Sequence, residues 1–239
     1  MSREIKNKEK VRDSFMKMKD EVANETLTEQ AYILLHHAIL NLELQPGDSF
    51  LEREIADLLD MSRTPVRSSL IRLEGDGWLK IIPRKGFTVE KIDGNVIGDI
   101  SKINEALDGL ASELATVHMT KEDLDYLDEL IDEQEKCMYD NNLERYVEID
   151  HHFHNFITNK SYNDRLVKVI ENQMDQLYRA RLFTIDEREF PLQSINEHRS
   201  IVAAMRANHS QAARTLTEAH RQRGTIEITA ILKEKQQAE

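Results

Sequence analysis

The chain has 239 residues, of which 40% are hydrophobic and 32% charged, and it carries a net charge of −12 with only 8 Gly and 4 Pro. That length exceeds the ~100–150 residues usual for one domain and points to two, and so few Gly and Pro disfavour a turn-rich β fold and favour long helices. The single Cys137 excludes a disulfide framework or a thiolate cluster. The longest apolar run, Ala31 to Leu35, falls far short of the ~20 residues of a membrane span. No apolar segment follows the N-terminal lysines, so the expected location is cytoplasmic.

Residues 1–25 are polar, with seven basic and six acidic side chains, and are expected to be a flexible tail or a short helix without a core. Residues 26–91 then read as three compact helices and a hairpin. The first helix opens on Thr26 and Glu29 at capping-box spacing. It carries Ala31, Leu34, Leu35, Ala38, Ile39 and Leu42 on one face and stops at Pro46-Gly47. A second capping-box spacing, Ser49 to Glu52, predicts the next helix, with Leu51, Ile55, Leu58 and Leu59 inward. After Asp60-Met61-Ser62 a third helix turns Val66, Leu70 and Leu73 inward, with Pro65 in its first turn, where a missing N–H is tolerated. The extended pieces Trp78–Ile82 and Phe87–Lys91, joined by Pro83-Arg84-Lys85-Gly86, predict a hairpin with a basic tip. Two helices across a short turn followed by such a hairpin describe a winged helix-turn-helix.

Charge supports a nucleic-acid face on this part. Met61 to Phe87 holds six basic residues against two acidic, whereas Lys91 to the C-terminus holds 18 against 28. A local basic patch on an acidic body suits DNA contact through one face. Arg63 and Arg67, at i and i+4, face away from the inward residues, and arginine there can fork onto phosphate or the guanine edge. Ser62 and Thr64 lie at the helix start, where hydroxyls and free N–H groups meet phosphate. Arg53 is placed to touch the backbone, and Lys85 and Gly86 to approach the minor groove. The run from Leu51-Glu52-Arg53-Glu54 through Ser62-Arg63-Thr64-Pro65-Val66-Arg67 to Gly77-Trp78-Leu79, closing on Pro83-Arg84-Lys85-Gly86, resembles the DNA-binding domain of the GntR family of bacterial transcription regulators. The resemblance implies that Arg53, Arg63, Arg67 and the wing glycine, Gly86, contact operator DNA. Ser68-Ser69 departs from the commoner Glu-Ala of that family, beyond the contact turn.

Residues 96–236 read as an all-α antiparallel bundle. An apolar stripe of Ile100, Ile103, Leu107, Leu110, Leu114 and Val117 marks its first helix, and helical patterns follow over 120–139, 142–159, 162–183, 189–207 and 210–236. Seven histidines fall here, at 118, 151, 152, 154, 198, 209 and 220. At 100° per residue, Asp150 falls within the stripe of Leu143, Tyr146, Phe153 and Ile157, with His154 beside it. His151 and His152 point elsewhere. His198 shares a face with Ile195, Val202 and Met205, and His220 lies beside Leu216 and Ala213. An ionised Asp in an apolar stripe must be paired or metal-bound. Asp150, His154, His198 and His220, from three helices, therefore form a candidate site for Zn²⁺, with Ni²⁺ or Mn²⁺ as alternatives. A carboxylate–histidine hydrogen bond is the competing explanation.

The segments Asp150-His151-His152-Phe153-His154, Glu197-His198 and Glu218-Ala219-His220 resemble the FCD effector domain of the FadR-type branch of that family. This resemblance implies a divalent metal on Asp150, His154, His198 and His220 and a small carboxylate effector completing its coordination. Asn104 stands where that branch commonly carries an effector-pairing arginine, and Asp108 where a Glu is usual. The resulting expectation is a dimeric, effector-controlled repressor of a catabolic operon on palindromic operator DNA. The alternative is a metal-dependent hydrolase with an accessory DNA-binding head, for which no general base remains once the four ligands are used. A metal-free acyl-CoA sensor is a third reading, against which the full Asp/His set argues.

Overall fold

A computed structural model describes residues 3–4, 8–84 and 86–237. The chain divides into two compact units, Met1–Ile92 and Asp93–Glu239.

The first unit runs β1 (Arg3–Glu4), α1 (Lys8–Met18), α2 (Leu27–Leu40), β2 (Asp48–Phe50), α3 (Glu52–Leu59), α4 (Arg63–Gly75), β3 (Leu79–Ile82) and β4 (Gly86–Val89). The strands form one sheet in the order β1-β2-β4-β3, parallel between β1 and β2 and antiparallel elsewhere. Leu34, Leu35, Ile39, Phe50, Ile55, Val66, Leu70, Leu73, Leu79 and Val89 fill one core between helices and sheet. The winged helix-turn-helix expected from the sequence is present.

Two local expectations fail. Lys8–Met18 is no flexible tail: Val11 and Phe15 are buried in the same core, and Lys8 reaches Glu54 at 2.9 Å. Polar composition concealed two apolar side chains four residues apart, enough for one short helix to dock. The second expected capping box, Ser49 to Glu52, is also absent. Ser49 is a strand residue whose hydroxyl meets that of Thr88 at 2.8 Å. Leu51 caps α3 instead, and the Glu54 carboxylate accepts from the Leu51 N–H at 2.9 Å. Half of the first box holds: Thr26 Oγ1 accepts from the Glu29 N–H, while the Glu29 carboxylate pairs with Arg72 at 2.7 Å. Ser69 is fully buried and donates to the Thr28 carbonyl at 2.6 Å, tying α4 to α2.

The second unit is entirely helical: α5 (Gly94–Thr116), α6 (Lys121–Tyr139), α7 (Leu143–Asn159), α8 (Asp164–Thr184), a 3₁₀ turn Ile185–Glu187, α9 (Leu192–Arg206) and α10 (Ser210–Gln237). The longest helix, α10, packs chiefly along α5, and α6 packs against α7 and α9. The capping pair Thr120 and Asp123 starts α6. The face that α5 buries most completely is not its apolar stripe, of which Leu107, Leu110 and Leu114 are half-buried against α8. Ser101, Asn104, Asp108, Ser112 and Thr116 are buried together with Ala111 and Ala115, while Ile103 is 50% and Val117 62% exposed. Small and polar residues let α10 approach closely, as at Gly109, where a Cβ would lie 2.6 Å from Glu218 Cγ.

Candidate functional site

In the first unit, the turn between α3 and α4 depends on Asp60, held in the left-handed region at φ 54°. It delivers α4 with its N-terminus free: Ser62 is the N-cap in extended conformation, and its side chain makes no capping hydrogen bond. Arg53, Ser62, Arg63, Thr64 and Arg67 are all exposed. Arg53, Arg63, Arg67, Arg84 and Gly86 line one concave face together with Glu52 and Ile81.

Two further residues of this face were not assigned a DNA contact from sequence, although Arg84 was placed in the basic hairpin tip. Glu52 accepts from Arg63 Nε at 2.9 Å and lies 4.0 Å from Arg67 Nε, so one carboxylate holds both arginines on the same side of α4. Arg84, at φ 64°, adds a cation at the wing. Lys85 lies outside the described residues. Gly86 has a structural reason to be glycine: at φ +91° a Cβ would stand 2.3 Å from the Phe50 carbonyl oxygen.

In the second unit, α7 supplies Asp150 and His154, α9 supplies His198 and α10 supplies His220. All four are buried, and one ligand atom from each falls within 4.8 Å of the others. His198 Nε2 and His220 Nε2 are 3.2 Å apart. Asp150 Oδ1 lies 3.8 Å from His154 Nε2 and 3.6 Å from His198 Nε2. These separations are too long for the competing carboxylate–histidine hydrogen bond. An ion bonded at about 2.1 Å to each ligand holds neighbouring donors roughly 3–4 Å apart, so the spacing fits one small divalent cation.

The surrounding groups orient the rings. The Gln134 Oε1 lies 2.8 Å from His198 Nδ1, and the Glu197 carboxylate lies 2.7 Å from His220 Nδ1. Each acceptor draws the ring proton to Nδ1 and leaves Nε2 as a lone pair. Two lone pairs then face each other at 3.2 Å, and the buried His154 Nε2 has no hydrogen-bond partner among the described residues. A cation answers all three. His151 instead meets Asn155 at 2.8 Å, and His118, His152 and His209 are exposed.

Electrostatics favour ligation. Burial holds His198 down at about 3, aided by His220, and lowers His154 and His220 as well. All three imidazoles are therefore neutral. Burial raises the Asp150 carboxyl, but the buried arginines, Arg181 first and then Arg221, outweigh it and hold it at about 2. Arg181 Nη1 lies 3.1 Å from Asp150 Oδ2, which leaves Oδ1 toward the imidazoles. Gln134, Arg181 and the Glu197 contact were not assigned from sequence. Glu197 precedes His198 but serves His220, a long-range pairing with no local signature.

A cavity of about 50 Å³ adjoins this cluster, lined by Asn104, Asp108, Asp150, Arg181, His220 and Arg221 among others. Residues 27–89 match the model of the bacterial regulatory proteins of the gntR family, and residues 99–223 match the FCD domain. The chain belongs to the GntR family of bacterial transcription regulators. This GntR-family protein is a DNA-binding transcription regulator and not an enzyme. It is 27% identical over 86% of its length to the uncharacterized HTH-type regulator YdhC of Bacillus subtilis, of which 92% is covered. It is 24% identical over 87% of its length to the HTH-type repressor RspR of Escherichia coli, of which 91% is covered. The solved structure of E. coli McbR/YncC superposes with a TM-score of 0.73 at 25% identity, over 88% of this regulator and 99% of that chain. Within the GntR fold the Asp150/His cluster lies in the FCD part and the Arg63/Arg67 face in the helix-turn-helix part. Among the described residues no helix is long and apolar enough to cross a membrane.

Proposed function

We propose that the regulator is a homodimeric repressor of a catabolic operon, released from a palindromic operator by a small carboxylate effector that binds beside a divalent metal. On this reading residues 26–91 are the DNA-binding domain and residues 96–236 the effector-binding and dimerisation domain. Arg63 and Arg67 engage the major groove, Ser62 and Thr64 the phosphate at the helix start, Arg53 the backbone, and Lys85 and Gly86 the wing contact. Asp150, His154, His198 and His220 hold the metal, with Zn²⁺ suited to three neutral imidazoles and one carboxylate and Ni²⁺ or Mn²⁺ also compatible. A bound cation supplies a fixed positive centre for an effector carboxylate. Differential affinity for two states of the dimer then shifts its hold on DNA. The name of RspR supports repression.

The observation that carries the metal is the convergence of four buried donors, two of them facing lone pairs at 3.2 Å. The test is elemental analysis of untagged protein as wild type, His198→Ala and His152→Ala, after incubation with Zn²⁺. One equivalent is expected in wild type and His152→Ala, and a small fraction of that in His198→Ala. Equal loading of all three proteins, or none in wild type, refutes the site. The hydrolase alternative gains nothing from the cluster: Glu197, the acid in contact with His220, is engaged by His220 and Arg223.

A further inference from the structure

Of the arginines that line the cavity beside the histidines, two are matched by hydrogen bonds and two are not. Arg188 donates to Glu227 at 3.0 Å, and Arg223 donates to Glu197 and to Ser194, each at 2.7 Å. Arg181 is 8% exposed, and its Nε and Nη2 have no hydrogen-bond partner among the described residues. The Arg221 side chain is 12% exposed. Its Nε stands 2.7 Å from Asp108 Oδ2 as an ion pair without a hydrogen bond, and its Nη2 has no partner among the described residues either. Buried guanidinium N–H groups left unmatched are unfavourable, and a planar fork of donors is best answered by a carboxylate. The Asn104 amide, equally buried and unmatched at both ends, lines the same cavity and adds a donor in Nδ2. Opposing charge comes from Glu105, Asp108 and Asp150 in the lining and from Glu197 and Glu227 behind it. With Zn²⁺ on the histidines, the arginines and the metal together still outweigh these carboxylates, so the loaded cavity is positive.

We propose that Arg181 and Arg221 form an anion subsite that takes the second acid group of a short dicarboxylate whose first carboxylate sits on the metal. The inference rests on the metal-and-carboxylate reading above for that first carboxylate. The two subsites are close together. Asp150 Oδ1 lies 3.6 Å from His198 Nε2, and Oδ2 lies 3.1 Å from Arg181 Nη1, so the width of one carboxylate separates the ligand cluster from Arg181. Arg221 directly follows His220 on α10. Val147, Leu177 and Ile228 supply apolar lining for a carbon link. The volume of about 50 Å³ is room for only a few water-sized groups, which suits malonate or succinate and excludes a nucleotide or an acyl-CoA. A monoamide of the same length brings an uncharged acceptor and an N–H donor where the arginines offer only donors. A site built to hydrogen-bond one group discriminates strongly against a partner that leaves its polar atoms unmatched.

Two near-isosteric pairs test this on the full chain loaded with Zn²⁺: succinate against succinamate, and malonate against malonamate, by titration calorimetry, with acetate as probe of the metal end. At least one dicarboxylate is expected to bind about 10-fold or more tightly than its monoamide, the scale of one charge-assisted pair. Arg221→Gln is expected to bring that ratio to within about 3-fold, and Arg221→Lys, a point charge without the fork, to leave it in between. A wild-type ratio retained in Arg221→Gln overturns the part assigned to Arg221. Acetate that binds only with Zn²⁺ present, with dicarboxylates no tighter than monoamides in wild type, overturns the arginine subsite alone. Failure of all five acids to bind, or binding indifferent to Zn²⁺, overturns the metal-and-carboxylate reading and the proposal with it. The wild-type comparison decides the matter even where a variant does not fold.

Discussion

Single side chains on the DNA face divide into those that contact and those that hold. Arg67 is 67% exposed and Glu52 lies 4.0 Å from it, so Arg67 contributes little to the fold and is free for DNA. Arg67→Ala is expected to weaken operator binding by ~1–3 kcal/mol with unchanged helicity. A gel-shift titration that places the variant on the wild-type curve refutes the contact. Gly86 has a second role. At φ +91°, with the Phe50 carbonyl in the path of a Cβ, Gly86→Ala is expected to destabilise the helix-turn-helix unit by more than ~1 kcal/mol. Chemical denaturation monitored at Trp78, the one tryptophan of the chain and buried in that core, reads this directly; an unchanged midpoint refutes it.

Among the elements, α5 sorts its faces against simple hydrophobicity. Its inner face is polar because it lines a cavity and accommodates α10, and its apolar side chains are pushed outward. Val96 and Ile103 are each 50% exposed, while Leu107, Leu110 and Leu114 are only half covered, against Leu166, Ile170 and Met174 of α8 and Ala111 of α5 itself. Exposed apolar side chains along one helix mark an association surface. Since helix-turn-helix heads work in pairs across a two-fold axis, a second copy is the expected occupant. Ile103→Asp is therefore expected to shift the full chain from dimer to monomer at micromolar concentration in sedimentation velocity, with helicity unchanged. A wild-type monomer, or a variant that sediments as the wild-type dimer does, counts against this face.

For the whole molecule, the buried histidines link stability to pH. His154, His198 and His220 have folded values below their ordinary 6.5, chiefly through burial. Below pH 6.5 the unfolded chain therefore binds protons that the folded chain does not, and stability falls as pH falls. For the metal-free protein the loss from His198, held at about 3, is about 1 kcal/mol between pH 6.5 and 5.5, and His154 and His220 shift stability in the same direction. Asp150 and Glu197, both held at about 2, add a further loss once pH drops below their unfolded values near 4. Thermal unfolding of metal-free protein at pH 7.5, 6.5 and 5.5 is expected to show Tm nearly level over the first step and falling over the second. A Tm independent of pH across this range contradicts neutral buried histidines. Added Zn²⁺ is expected to raise Tm at all three pH values, because the folded ligands are already neutral and no proton competes for them.

Local sequence carried whatever depends on neighbours within a few turns. The inward stripes of α2, α3 and α4, the Thr26–Glu29 cap and the burial of Asp150, His154, His198 and His220 follow from side-chain spacing along single helices, because helical periodicity decides which residues share a face. The expected DNA face came from the resemblance of the run from Leu51 to Gly86 to the GntR DNA-binding domain. Tertiary structure alone decided everything that joins distant segments. It brought Arg181 of α8 to Asp150, so that the carboxylate's charge is countered by an arginine and not by a histidine. It placed Glu197 on His220 and Gln134 on His198, fixing which ring nitrogens face inward. It docked Val11 and Phe15 from a stretch polar enough to pass for a tail, and drew Ser49 out of an expected cap into a strand. It also turned the polar face of α5 inward and so left Asn104 unpartnered in a cavity. None of these has a period, because each depends on a contact between residues far apart in the chain, and only the packed fold sets those distances.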